Sequence, residues 1–313
     1  MADVNYIFLL SLTIIIIGYI VKKLGIITED NGKIVAKIIF NITLPAIILK
    51  ITSRIEFKVS LILLPLVNIF FGVFMAIVGL ILFRKYQREK KGLILMTLIG
   101  FNVAHFSFPL IEGIWGEGGL AIIALVDAGN AFTIFVVCYI VGSIFSQNNN
   151  VENSKIDFKA IGQRLMKSAP LLSYIFALFI NLSGIGEIMP IFFWDLLDIL
   201  ARANTALALL LLGIYLNFKF DRAEWGTILK VLITRYSLGL VVGLLFFFLL
   251  PSNQFDLLFR LILTISLIFP IGLAVIPFAI EFDYDTKLVS MIANLTIIIS
   301  FGLVWILILF LGG

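Results

Sequence analysis

Long apolar runs dominate this chain and decide the solvent in which it folds. Hydrophobic residues make up 61% of the 313 residues, and charged residues only 13%. A helix needs about 20 apolar residues to cross the roughly 30 Å hydrocarbon core of a bilayer. Ten runs are long enough, near residues 6–24, 33–50, 59–83, 92–115, 118–146, 168–184, 188–217, 227–250, 255–280 and 288–311. The sequence therefore predicts an all-α integral membrane protein with ten transmembrane helices.

A polar stretch near the middle of the chain separates five of these spans from the other five. It reads SQNNNVENSKIDFK and begins at Ser146. An odd number of spans in each half forces the halves to enter the membrane in opposite senses, as in transporters with inverted repeats. We therefore expect a first five-helix repeat at residues 1–146, a cytoplasmic linker at 147–157, and a second, inverted five-helix repeat at 158–313.

The positive charges of the loops predict the orientation. Of the 23 Lys and Arg residues, 17 fall in loops on one side of the ten predicted spans, and 4 on the other. Since cytoplasmic loops carry the excess of positive charge, both termini are expected outside the cytoplasmic membrane. Lys50, Arg54 and Lys58 share one outer loop and are the exception to this pattern.

Prolines interrupt the fourth and ninth spans, which occupy corresponding places in the two halves. Pro109 and Pro270 each remove a backbone hydrogen bond. The freed carbonyl groups need partners that lipid does not supply, so both interruptions must face protein or water. Paired interruptions at corresponding positions indicate a binding site near the membrane midplane. The sequence thus predicts that helices 4 and 9 are broken and cross, with amide ends suited to an anion and carbonyl ends suited to a cation.

Polar residues surround both prolines. Asn102, His105 and Ser107 precede Pro109 in the fourth span. In the ninth span, Thr264 and Ser266 precede Phe269 and Pro270, and Gly272 follows them. These residues are expected to line the break. The alternative for Asn102 and His105 is a pair of hydrogen bonds between helices with no ligand.

Ionisable residues also occur inside the spans. Asp127 lies about nine residues into the fifth span, with Asn130 three residues further on the same helical face. An acid at that depth favours a role as proton carrier, cation ligand or partner of a base such as Arg235, and a structural hydrogen-bonded acid is the alternative. In the seventh span, Asp198 and Arg202 are spaced for an i,i+4 ion pair.

Several classes of function are not supported by the sequence. It contains no Gly-rich phosphate loop, so neither an enzyme using nucleotides nor an ATP-driven pump is indicated, and no cofactor is expected. A single His offers no spacing for a metal site. The basic residues are scattered through short loops, which does not indicate nucleic-acid binding.

Four apolar motifs together resemble the auxin efflux carrier family, which is related to the bile acid sodium symporters. They are NITLPAIIL from Asn41, GFNVAHFSFPL from Gly100, LALLLLGIYL from Leu207 and LIFPIGLAV from Leu267. The resemblance implies a scaffold of helices 1, 2, 6 and 7, a transport domain of helices 3–5 and 8–10 that moves as an elevator, and a homodimer formed through the scaffold. It carries family positions over to Asn41, Pro45, Asn102, Pro109 and Pro270.

The function expected from these features is secondary transport of a small organic anion, a carboxylate similar to auxin or malonate. The expected substrate-binding residues are Asn41, Pro45, Asn102, His105, Ser107, Pro109, Phe269, Pro270 and Gly272. Coupling to H⁺ or Na⁺ would involve Asp127, Asn130, Thr264, Ser266 and Arg235. The alternatives are a sodium-coupled symporter of the bile-acid type, with Asp127 and the crossing carbonyls as cation ligands, and a membrane sensor that transports nothing.

Overall fold

The structure is a computed structural model that describes residues 3–56, 58–146, 158–218 and 222–312. Fourteen α-helices are found in these residues, together with one isolated β-bridge and no β-strand. The predicted linker at 147–157, and with it Lys155, lies outside the described residues, as does Lys219. The expectation of an all-helical membrane protein is confirmed.

The chain forms two compact units. Unit 1 comprises Met1–Leu61, Ala104–Ala128 and Leu165–Leu216, and unit 2 comprises Ile62–Val103, Gly129–Arg164 and Asn217–Gly313. The helices α1 to α7 are Val4–Lys23, Glu29–Ile38, Leu44–Thr52, Leu63–Leu82, Arg88–Ile99, Phe108–Phe132 and Tyr139–Phe145. The helices α8 to α14 are Phe158–Lys167, Ala169–Ser183, Ile191–Tyr215, Trp225–Leu249, Leu257–Ser266, Val275–Glu281 and Thr286–Leu311.

Among the described residues, seven helical segments are long and apolar enough to cross a membrane. They are Val4–Lys23, Glu29–Thr52, Val59–Leu82, Val103–Phe145, Ile191–Tyr215, Arg222–Leu249 and Thr286–Leu311. An eighth is the pair Ile161–Lys167 and Ala169–Ser183, which is bent by 67°. Large apolar side chains such as Phe70, Phe248 and Phe310 are exposed on them. Such surfaces suit lipid, and the chain is a multi-pass membrane protein.

In unit 1, α1 and α10 pack together through glycines. A Cβ on Gly18 would collide with the Leu210 carbonyl, and one on Gly213 with the Ile15 carbonyl. The missing side chains let the two backbones come into contact, which is the usual packing of membrane helices where no hydrophobic force joins them. Unit 1 thus contains a tightly packed helix pair.

Two π-helical segments, Ile39–Thr43 and Val103–Ser107, each lead directly into a helix whose second residue is proline. These prolines are Pro45 in α3 and Pro109 in α6. A proline ring clashes with the carbonyl four residues back in a regular α-helix. The wider π turn relieves that clash, so both helical stretches continue past their prolines.

The fourth and fifth predicted spans are separated by Gly116. This residue has φ 62° and ψ −149°, and it interrupts the helical dihedral angles of α6. A positive φ is strained for residues with a Cβ and accessible to glycine. The stretch Val103–Phe145 therefore contains a sharp kink after its first 13 residues.

Candidate functional site

Two interrupted helices meet inside unit 2. Helix α5 ends at Ile99 and is followed by extended residues, while α12 ends at Ser266 and α13 begins only at Val275. Phe101 forms an antiparallel bridge with Ile271. We call residues 100–102 and 269–272 the first and second crossing segments, and the two together the crossing.

Backbone hydrogen bonds join the two crossing segments directly. The Asn102 N–H donates to the Pro270 carbonyl at 2.9 Å, and the Gly272 N–H donates to the Gly100 carbonyl at 3.4 Å. Buried peptide groups need partners, and here each interrupted helix supplies partners for the other. The two crossing segments therefore satisfy part of each other's backbone hydrogen-bonding capacity.

The interruption in the fourth span does not lie where the sequence predicted it. Pro270 is inside the second crossing segment, but Pro109 is the second residue of α6, seven residues beyond Asn102. The first interruption is at Gly100, with φ −105° and ψ 164°. The π turn of Val103–Ser107 accommodates the proline ring, which explains why Pro109 does not break this helical stretch.

Arg235 of α11 caps the carbonyl ends at the crossing. Its guanidinium is fully buried and donates five hydrogen bonds to backbone carbonyls. Two go from Nη1 to Thr97 (3.1 Å) and Leu98 (3.0 Å). Three go from Nη2 to Gly100 (2.9 Å), Phe269 (3.0 Å) and Pro270 (3.2 Å). The carbonyls that the two interruptions leave without helical partners thus share one positive charge.

Side chains from two other helices hold the crossing segments. Asn130 accepts from the Phe101 N–H and donates to the Phe101 carbonyl, both at 2.9 Å. On α14, Thr296 accepts from the Ile271 N–H at 3.2 Å, and Ser300 donates to the Ile268 carbonyl at 2.7 Å. Asn130 was predicted from the sequence, whereas Thr296 and Ser300 were not. Their spacing of four residues on one face of an apolar helix was the available signal.

Asn102, the last residue of the first crossing segment, supplies an unused side-chain donor. Its side chain is only 3% exposed, and its Nδ2 has no hydrogen-bond partner. Leaving a buried amide donor unpaired is unfavourable by about 1–3 kcal/mol. A ligand that accepts a hydrogen bond from this atom would relieve that penalty.

The remaining predicted residues of unit 2 bond mainly to backbone. Thr264 donates to the carbonyls of Gly243 (2.9 Å) and Arg260 (2.8 Å), and Ser266 donates to Leu263 (2.7 Å). Phe269 and Gly272 are buried in the second crossing segment. Hence Thr264 joins α12 to α11 and Ser266 bonds within the last turn of α12, whereas Phe269 and Gly272 are part of the crossing itself.

Other predicted site residues belong to unit 1. His105 is buried with its ring centroid 4.8 Å from that of Phe40, and its Nε2 has no hydrogen-bond partner. Ser107 and Pro109 are buried in the same stretch, while Pro45 is half-buried. The exposed Asn41 donates to the Lys37 carbonyl at 2.8 Å. His105 is the member of this group with a free buried polar atom.

Asp127 in unit 1 is a buried acid with a hydroxyl partner. The Tyr174 hydroxyl donates to its Oδ2 at 2.9 Å, and both residues are less than a tenth exposed. Elsewhere in unit 1, Thr43 donates to the Asn204 Oδ1 at 3.0 Å. A buried carboxyl group with a donor fixed beside it suits the structural role that the sequence left open for Asp127.

Two of the three basic residues of the predicted outer loop, Lys50 and Arg54, have side-chain partners in unit 1. Lys50 pairs with Asp198 at 2.6 Å and with Glu117 at 2.7 Å, and the predicted ion pair of Asp198 with Arg202, at 2.6 Å, is confirmed. The Arg54 guanidinium stacks 4.1 Å from the Trp194 ring. Lys50 and Arg54 are thus held by side-chain partners within unit 1.

A polar cavity in unit 1 involves none of the predicted site residues. Its volume is about 440 Å³. It is lined by Ser53, Arg54, Ile180, Asn181, Gly184, Gly186, Glu187 and Trp194. Within the residues that the structure describes, no group of three His, Cys, Asp or Glu side chains is placed to hold a metal ion. The crossing is therefore the candidate functional site.

A protein family matches almost the whole chain, and two related proteins match most of it. A family described as "Membrane transport protein" matches residues 7–308. An uncharacterized transporter of Methanocaldococcus jannaschii is 26% identical over 234 residues, covering 71% of this chain and 73% of that protein. An uncharacterized transporter of Methanothermobacter thermautotrophicus is 22% identical over 299 residues, covering 92% of each chain.

Proposed function

Since the chain belongs to the membrane transport protein family, we propose that it is a secondary transporter of small organic anions. The substrate class is carboxylates similar to auxin or malonate, and the site is the crossing in unit 2. The observation that carries this proposal is that two features occur together at the interrupted helices. One is the fully buried guanidinium of Arg235, and the other is the Asn102 Nδ2 donor, which has no hydrogen-bond partner.

The electrostatics of the crossing favour an anion. Each helix end carries roughly half an elementary charge, negative at the carbonyl end and positive at the amide end. Arg235 donates to carbonyls in the last turn of α5 and in both crossing segments, and so offsets their negative potential. The helical stretch that begins at Val103, directly after Asn102, presents an amide end, which carries a partial positive charge. A carboxylate that accepts from Asn102 would meet this positive potential.

The proposed architecture has ten spans. At 1.5 Å per residue, the 43-residue segment Val103–Phe145 would be about 65 Å long, twice the hydrocarbon thickness. Its kink at Gly116 divides it between the fourth span, which starts with α5, and the fifth. The interrupted pair α12 and α13 forms the ninth span, and the bent pair around Ser168 forms the sixth. With the six other segments, this gives ten.

Contacts within unit 2 support an inverted repeat. Asn130 of the fifth span holds Phe101 of the fourth, and Thr296 of the tenth holds Ile271 of the ninth. Gly72 of the third span lies against the Ile99 carbonyl, and Gly239 of the eighth lies against the Leu267 carbonyl. Each half therefore uses its third and fifth spans to support the interruption in its fourth.

We further propose an elevator mechanism in which unit 2 carries the substrate. Unit 2 contains α4, α5 and α11 to α14, and unit 1 contains α1 to α3, α9 and α10. This division resembles the expected transport domain and scaffold. It differs at residues 104–128, which were expected in the transport domain and cluster with unit 1. The proposal includes a homodimer formed through unit 1, a cytoplasmic linker at 147–157 and both termini outside the cytoplasmic membrane.

Transport assays in liposomes test the proposal. The purified protein should move labelled malonate or indole-3-acetate, faster when a membrane potential drives the anion, because 100 mV is equivalent to about 2.3 kcal/mol per charge. Asn102→Ala should reduce the rate at least about 10-fold, as expected for losing a hydrogen bond to a charged group.

The matched control is Asn204→Ala. It removes another buried amide whose Nδ2 has no partner, but it lies in unit 1. This variant should keep most of the transport rate. Absence of carboxylate flux in the wild type, or an unchanged rate in Asn102→Ala, would contradict the proposal.

A further inference from the structure

The five carbonyls around Arg235 form the kind of site that binds an alkali-metal cation in other transporters. In broken-helix transporters, unwound carbonyls and the carbonyl ends of half-helices coordinate sodium ions. Here such oxygens come from both interrupted spans, at Thr97, Leu98, Gly100, Phe269 and Pro270. All five accept from one guanidinium at 2.9–3.2 Å. The place is therefore already taken by a cation that belongs to the chain.

The charge balance matches this arrangement. Thr97 and Leu98 lie in the last turn of α5, whose carbonyl end carries about half a negative charge, and Gly100, Phe269 and Pro270 add three further carbonyl dipoles; one guanidinium faces all five oxygens. Burial of a charge is unfavourable unless hydrogen bonds and opposite charge compensate it. The hydrogen bonds of the two terminal nitrogens supply that compensation without a carboxylate. A second cation among the same oxygens would be repelled by the first.

Arg235 is also held rigidly in its position. The Phe101 ring lies 4.3 Å from the guanidinium carbon, which adds a cation–π contact. Four residues further along α11, a Cβ on Gly239 would collide with the Leu267 carbonyl, so the helix backbone lies directly against the end of α12. A side chain that is covalently attached and enclosed in this way does not leave during a transport cycle.

We infer that Arg235 is a built-in cation that replaces a coupling sodium ion at the crossing, so that this chain binds no sodium there. The assignment of Arg235 does not depend on the proposed function. Its consequence for transport rests on that function and is that anion transport proceeds without sodium bound at the crossing. In the sodium-coupled alternative, the crossing carbonyls were expected to be ligands of a sodium ion. The inference assigns these carbonyls to Arg235 instead.

Thermal unfolding of the purified protein in sodium chloride and in choline chloride, at equal ionic strength and without organic anion, tests the inference. The wild type should have the same Tm in both salts. Arg235→Ala should have a lower Tm that rises by about 2–4 °C in sodium chloride, because the vacated carbonyls can then bind the ion. The rise should saturate with sodium concentration.

Arg260→Ala is the matched control. Arg260 is also in unit 2 and donates to a backbone carbonyl, that of Phe247, but lies outside the crossing. It should show no response specific to sodium. Arg235→Lys, which keeps a charge, should show none either, and it replaces the alanine variant if that variant does not fold.

A sodium-specific rise of Tm in the wild type or in Arg235→Lys would overturn the inference, as would equal Tm values of folded Arg235→Ala in both salts. Since no organic anion is present, these outcomes are independent of the liposome assay. Failure of carboxylate transport would remove the proposed function and leave the assignment of Arg235 standing.

Discussion

The two crossing segments solve the same problem with different residues. The first, residues 100–102, contains no proline, and its middle residue Phe101 has both an N–H and a carbonyl that need partners. The single amide of Asn130 satisfies both. In the second segment, residues 269–272, Pro270 has no N–H. There the hydroxyl of Thr296 accepts from Ile271.

The difference shows that the partner groups, more than the prolines, determine where a membrane helix can open. An asparagine side chain offers both an N–H donor group and a carbonyl acceptor in fixed geometry, and a threonine hydroxyl can serve as the single acceptor. Arg235 bonds to carbonyls of both segments and so belongs to neither alone. Substitutions of Arg235, Asn130 and Thr296 should therefore destabilise the crossing to different extents.

Arg235→Met should have the largest effect, because it removes the cation from five buried carbonyls, two in the last turn of α5 and three in the crossing segments. We expect the free energy of unfolding to fall by about 3–5 kcal/mol, as when one partner of a buried charge interaction is removed. Denaturant unfolding in detergent would measure it, with Arg260→Met as the control. A loss no greater than that of the control would show that the guanidinium does not hold the crossing.

Asn130→Ala should rank second and weaken only the first segment. It leaves the Phe101 N–H and carbonyl unpaired, and each unpaired buried group costs about 1–3 kcal/mol. We expect a loss of about 2–4 kcal/mol and faster hydrogen exchange at the Phe101 amide. Exchange that accelerates equally at Ile271 would mean that the two segments are not supported separately.

Thr296→Val should have a smaller effect, confined to the second segment. The substitution preserves shape and removes the one acceptor of the Ile271 N–H, so the expected loss is about 1–3 kcal/mol. Thr13→Val is the control, since the exposed Thr13 hydroxyl bonds only to the Leu9 carbonyl of its own helix. If Thr296→Val proves more damaging than Asn130→Ala, the comparison between the segments is wrong.

The apolar runs of the sequence predicted the helical segments well, because lipid forces nearly every buried backbone group into helices. Seven long segments and a bent pair were found where spans were expected. The ninth predicted span is two short helices, Leu257–Ser266 and Val275–Glu281, since its interruption extends over residues 267–274. Hydropathy alone gives no sign of an interruption of that length.

The site was predicted less completely, for reasons that specific residues illustrate. Pro270 marked the second interruption because a missing N–H is visible in the sequence. Gly100 did not mark the first, since its extended conformation depends on pairing with a segment distant in the chain. Arg235 was identified as important, but its partners are backbone carbonyls, which no residue type reveals. Lys50 was unexplained until Glu117 and Asp198 were found beside it.

Pro109→Ala should have the smallest effect. It tests directly whether the proline of the fourth span is needed for the helix interruption at the crossing. Pro109 directly follows the π segment Val103–Ser107, whose wider turn accommodates the proline ring without opening the helix. We expect a change in the free energy of unfolding below about 1 kcal/mol and a transport rate close to that of the wild type. Pro270→Ala, within the crossing, provides the comparison and should reduce transport more. Loss of transport in Pro109→Ala at unchanged stability would instead place the functional interruption at Pro109, because a residue outside the crossing would then control the site.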